Sequence, residues 1–222
     1  MAALVWDNTG DKLFESGVDH GVLYRHDGSS KYAKAYVWNG LTSVNESPSG
    51  AEPTDLWADN IKYATLRSAE EYSITIEAYT YPDEFRECDG SVEIAPGVFA
   101  GQQNRKPFGF SYRSLIGNDE DGLDHGYMLH LVYGLTASPS ERSRETVNDS
   151  PDAITFSWEC ASTPVNSTIS SLTKPVSELT IDSTKVDSDK MKDLEKVLYG
   201  TENTEGKLPL PEEVMGLLAP SV

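Results

Sequence analysis

The chain has 222 residues, and its 36 acidic against 18 basic side chains give a formal charge of -18 and a pI near 4.5. That balance repels a phosphate backbone and an anionic membrane surface, which argues against sequence-specific nucleic-acid binding and against membrane association. With 38% hydrophobic and 24% charged residues the chain can bury a core, while no stretch approaches the roughly 18 consecutive apolar residues of a membrane span.

The first residues, Met1 to Asp7, lack a basic segment followed by an apolar run, so nothing is expected to direct the chain out of the cytoplasm. Weak strand signals occupy Gly21 to Arg25 and Tyr32 to Val44, separated by the turn-rich Asp27-Gly28-Ser29-Ser30. Asn45 to Asp55 is polar and carries two prolines, too long for a tight hairpin turn, and is expected to be a mobile or engaged loop. A further weak strand covers Ile61 to Leu66. The clearest alternation runs from Glu71 to Tyr81, with Tyr72, Ile74, Ile76 and Ala78 on one face and Glu71, Ser73, Thr75 and Glu77 on the other. Tyr81 to Gly90 is expected to hold a short helical turn.

Phe108 to Ile116 is another weak strand, followed by the turn Gly117 to Gly122. Gly126 to Tyr133 is apolar on both faces, as a central strand covered on both sides would be. A second long polar connection spans Ser138 to Glu145. Ala153 to Cys160 alternates again, which points Ile154, Phe156 and Trp158 at a core and Thr155, Ser157 and Glu159 away from it. After a weak strand at Glu178 to Asp182, a helix over about 187–199 has Asp187 or Ser188 as cap, Met191, Leu194 and Leu198 as apolar stripe and Gly200 as stop. Residues 1–200 are expected to form one β domain with that helix. Residues 201–222 read as an arm or tail that takes its order from a partner, with Leu208, Leu210, Val214, Leu217 and Leu218 as its contact residues.

No phosphate-binding glycine loop, metalloprotease helix motif or hydrolase nucleophile elbow occurs, so no enzymatic activity, cofactor or metal is expected. Cys88 and Cys160 fall in no zinc or disulfide spacing and are expected to be reduced thiols. Asp19-His20 and Asp124-His125 resemble carboxylate-oriented bases or metal ligands. Each precedes a glycine at the start of an apparent strand, however, which favours a loop in which they bond local backbone. His130, inside an apolar strand, reads as a satisfied core or interface group.

Long structural strings carry a resemblance. The stretch Trp38 to Asn60 followed by Ile61-Lys62-Tyr63, then Glu77 to Phe85, Arg105 to Arg113 and Asn148 to Glu159, in that order, resembles the major tail proteins of long-tailed siphophages infecting Gram-positive bacteria. The resemblance implies a mainly β fold, a tail-tube-type β-sandwich with a flanking α-helix and extended loops and arms. It also implies a virion protein, made in the host cytoplasm, whose subunits form stacked hexameric rings around the tape measure protein. Tail terminator and distal tail or initiator proteins would be further partners, and DNA would pass through the lumen at genome ejection without specific binding. Asn45, Glu46, Pro48, Glu52, Pro53 and Asp55 are then candidates for an inter-subunit loop, and Glu71, Glu77 and Glu159 for acidic residues facing the lumen. The competing expectations are an acidic β-sandwich that binds carbohydrate through Trp57, Tyr79 and Tyr81, and a hydrolase or metal enzyme built on the two Asp-His pairs.

Overall fold

The computed structural model describes residues 4–28, 31–144, 146 and 153–219. Its alternating segments pair into a nine-stranded antiparallel sheet. The first strands are β1 (Phe14–His26), β2 (Tyr32–Trp38) and β3 (Leu41–Glu46), the last two joined at Asn39-Gly40, where Gly40 has φ +75°. The Asn45 to Asp55 connection is not a plain loop. It closes as β4 (Ser49–Gly50) and β5 (Pro53–Ala58), and β5 pairs with β6 (Ile61–Arg67) as a separate hairpin. Asp59 and Asn60 at its tip have φ of 50° and 62°, the left-handed pair that a two-residue hairpin turn of this twist requires.

The chain continues through β7 (Glu70–Glu71), β8 (Ser73–Ala78), the 3-10 turn Asp83–Glu87 and a second small hairpin of β9 (Val92–Ala95) and β10 (Val98–Ala100). The long strands β11 (Phe108–Asn118) and β12 (Gly122–Ala137) follow, then β13 (Phe156–Ser162), β14 (Glu178–Asp182), α1 (Ser188–Tyr199), β15 (Lys207–Leu208) and α2 (Pro211–Leu218). In the sheet the order is β15-β2-β1-β11-β12-β13-β8-β3, with β14 also on β12.

β12 is the hinge of the architecture. Met128 to Val132 pair with β14, whereas Leu135 to Ala137 pair with β13. The parity of inward side chains changes at Gly134, so Leu129, Leu131 and Tyr133 enter one core while Val132, Leu135 and Ala137 enter the other. Gly134 has φ +63°, and a Cβ there would stand 2.0 Å from the Thr163 carbonyl oxygen, so only glycine permits the bulge. The sheet thereby folds over on itself as a sandwich.

The first core, between the two β layers, is aromatic. Trp38, Phe85, Phe108, Phe110 and Trp158 are buried, and Trp158 contacts Trp38, Tyr81, Phe85 and Phe156 at ring-centroid distances of 5.1 to 5.6 Å. The second core lies between the sheet and the helices. Met191, Leu194 and Leu198 of α1 pack there with Val22, Tyr24, Leu129, Leu131 and Ile181. Asp187 caps α1 by accepting from the backbone NH groups of Asp189 and Lys190, and Gly200 ends it at φ +82°. Such a cap contributes about 1 kcal/mol.

Two expectations about order need correction. Ile154 is exposed, because β13 begins only at Phe156. Residues 201–219 are not an arm awaiting a partner. Leu208 pairs antiparallel with Tyr32, Pro211 starts α2, and Leu208 and Val214 are buried in the second core, with Leu210, Leu217 and Leu218 packed against it. The physical reason is that α1 leaves an apolar face that the apolar residues of α2 cover, and Lys190 Nζ donates to the carbonyls of Leu218 and Ala219. Expectations for Met1 to Ala3, for Ser29 and Ser30, for Glu145, for Asn148 to Asp152 and for residues 220–222 lie outside the described residues.

Candidate functional site

Among the described residues the β5–β6 hairpin is an exposed apolar feature. Every residue of β5 is exposed, and in β6 only Ala64 is half-buried. The register places Thr54 with Leu66, Leu56 with Ala64 and Ala58 with Ile61 on one face. On the other face Asp55 accepts from Thr65 Oγ1 at 2.8 Å and pairs with Lys62 Nζ at 2.7 Å. These bonds hold the Asp55 carboxyl below its usual pKa, Lys62 first and Thr65 second. The apolar face carries Leu56, Ile61 and Leu66, while Trp57, opposite Lys62, stands on the Asp55 face and is 68% exposed. A two-stranded hairpin is marginal in water unless something packs on its apolar face. The β9–β10 hairpin repeats the pattern with exposed Val92, Ile94, Val98 and Phe99.

The candidate loop residues separate accordingly. Pro53 and Asp55 belong to the hairpin, and Pro48 and Glu52 are exposed at its base. Asn45 and Glu46 close β3, and Glu46 turns inward to accept from Tyr112 Oη at 2.7 Å.

The acidic candidates also divide. Thr75 pairs with Glu159 and Asn45, and Glu77 with Ser157 and Ser43, so the outer face of β3, β8 and β13 is polar and carries Glu77 and Glu159 together. Ser43 Oγ donates to Glu77 at 2.8 Å. Glu71 stands apart in β7, opposite Ser49. Among the described residues no lysine or arginine forms an ion pair with any of the three.

Neither Asp-His pair lies in a loop bonding backbone. Asp19 and His20 sit within β1 at a bulge, with His20 at φ +50°, and Arg113 of β11 bonds both. Burial works to raise the Asp19 pKa, but the hydrogen bonds of Arg113 and His20 outweigh it and lower it. Asp124 and His125 lie in the first turn of β12, where His125 Nδ1 meets Asp121 at 3.2 Å and Asn118 at 3.0 Å. Each pair is engaged by its own neighbours. Cys88 and Cys160 are buried free thiols, and burial pushes Cys88 up to about 12 and Cys160 higher still. Tyr81 packs against Phe85, Phe156 and Trp158, which removes it from any exposed platform with Trp57 and Tyr79.

One constellation escaped the sequence reading. His130 is buried as expected, yet its ring meets Glu15, Glu46 and Glu178, contributed by β1, β3 and β14. These positions are 115, 84 and 48 residues from it in the chain numbering, and no local spacing could have announced them. Burial raises Glu46, with the Glu178 charge adding to it against the Tyr112 hydrogen bond. Burial also works to raise Glu178, but the bond to His130 prevails and lowers it. No protein-family model matches the chain, and no curated protein matches it.

Proposed function

We propose that the chain is a structural subunit that assembles with copies of itself into stacked hexameric rings, forming the tube of a phage tail through which the genome leaves. The observation that carries this reading is the β5–β6 hairpin, a two-stranded element with an apolar face that is exposed among the described residues. A second copy is the occupant that fits, because a tube needs each subunit to reach its neighbour with a heterologous contact that repeats along an axis. The resemblance noted above points the same way. The tape measure protein, a terminator and a distal initiator would be the other partners.

The polar face with Glu77 and Glu159 supports a lumen role. Carboxylates repel DNA phosphates and keep the passage non-adhesive. Glu159→Lys is expected to leave tubes intact and to slow DNA ejection from particles built with it; unchanged ejection kinetics would take Glu159 off the lumen wall.

Negative-stain electron microscopy of the concentrated protein, with light scattering for mass, tests the assembly reading. Rings or hollow tubes of uniform diameter are expected, on their own or once the initiator complex and tape measure protein are added. A persistent monomer in the presence of both partners overturns it. The carbohydrate-binding alternative loses Tyr81, which packs against Phe156 and Trp158, and keeps the exposed Trp57 and Tyr79.

A further inference from the structure

We infer that Glu46, His130 and Glu178 form a divalent-cation site that ties the two β layers together at one end of the sandwich. Glu46 comes from β3 at the rim of one layer, and His130 and Glu178 from the paired strands β12 and β14 of the other. One ligand atom from each lies within 4.8 Å of the other two. His130 Nδ1 stands 3.0 Å from Glu178 Oε1 and 3.6 Å from Glu46 Oε1. Donors bound to one tetrahedral ion at about 2.0–2.2 Å stand roughly 3.4 Å from each other, so the spacing already matches.

The second ring nitrogen is anchored on the far side. Ser114 Oγ gives its single proton to Glu15 Oε1, and it lies 3.1 Å from His130 Nε2. Having no second proton, it must accept from Nε2–H. In the metal-free protein Nδ1–H donates to Glu178 at 3.0 Å, and this is the proton that a cation bound at Nδ1 would displace. A divalent cation in that place would face the ring nitrogen and both carboxylates at once. The Ser114–Glu15 pair is the outer support usual for a ligating histidine, fixing which nitrogen faces the ion. Tyr112 stacks on the imidazole at 4.4 Å and 2°, holding its plane, and donates to Glu46.

Tyr72 Oη lies against Glu178 and helps hold that carboxylate in place. A cleft of about 400 Å³ lined by Glu15, Val44, Glu46, Tyr112, Ser114 and His130 gives solvent access to the cluster and room for a water on the ion's open position. One imidazole with two carboxylates suits zinc or manganese; magnesium and calcium prefer oxygen donors alone.

The inference stands independently of the assembly reading and is tested on the full chain. Protein stripped with chelator is dialysed against ZnCl2 or MnCl2, and bound metal is measured by mass spectrometry beside the melting temperature. About one ion per folded chain and a raised melting temperature are expected for at least one of the two metals. Glu178→Gln and Glu46→Gln, on different strands, should each weaken binding by about tenfold or more, while His20→Gln, at the other histidine cluster, leaves it unchanged. Near-UV circular dichroism identifies a variant that has not folded, and the other then decides. Failure of the parent protein to retain either metal overturns the inference, as does equal retention by a folded Glu178→Gln or Glu46→Gln variant.

Discussion

Lysine at both Leu56 and Leu66 is expected to abolish rings and tubes while the isolated subunit melts at the parent temperature. Both side chains lie on the apolar face of the β5–β6 hairpin, 42% and 57% exposed, so the folded monomer gains little from them. Surface changes of that kind usually shift stability by no more than about 0.5 kcal/mol. In an assembled contact the exposed half of each side chain would be buried, at roughly 0.7–1.5 kcal/mol each. Losing both, and facing two ammonium groups with an apolar surface, weakens each contact by about one to two orders of magnitude or more. Electron microscopy with circular dichroism separates the outcomes. Normal tubes from the double variant would show that the hairpin is not an assembly contact, and a lower melting temperature would show that it packs on its own subunit.

Trp158→Ala is expected to be the most destabilising single change in the molecule, at about 3–5 kcal/mol by chemical denaturation. Trp158 is fully buried at the centre of the aromatic core, and removal of its ring opens a cavity bounded by Trp38, Tyr81, Phe85 and Phe156. These neighbours belong to different elements and cannot all move inward. Against a total stability of about 5–15 kcal/mol, such a loss leaves the subunit marginal. Trp158→Phe should recover most of it, because Nε1 is buried without a hydrogen-bond partner among the described residues and its deletion removes an unsatisfied donor. Equal losses for alanine and phenylalanine would mean that the indole NH has a partner after all.

Period and capping residues made much of the fold legible in the chain. The alternation from Tyr72 to Ala78 gave the buried face of β8, with Ile74, Ile76 and Ala78 inaccessible, because a half-buried strand writes its two faces into every second residue. Asp187, the Met191-Leu194-Leu198 stripe and Gly200 marked α1 to its ends, since a cap, an apolar stripe and a left-handed stop are all local requirements. The hairpin was legible in principle. Asp59-Asn60 is a turn pair, but the prolines and polar residues before it drew the reading toward a loop.

Tertiary structure alone decided the rest. Whether the apolar residues after Gly200 cover a neighbour or their own chain depends on the face that α1 leaves open, and the second core takes them in. The reversal of parity at Gly134 depends on where β12 passes from one layer to the other. The carboxylates around His130 come from strands distant in sequence, brought together by sheet order and register. Periodicity, capping and turn chemistry are properties of neighbouring residues, and so the sequence by itself determined them. Partnership between side chains far apart in the chain is a property of the packed sheet, which exists only after folding.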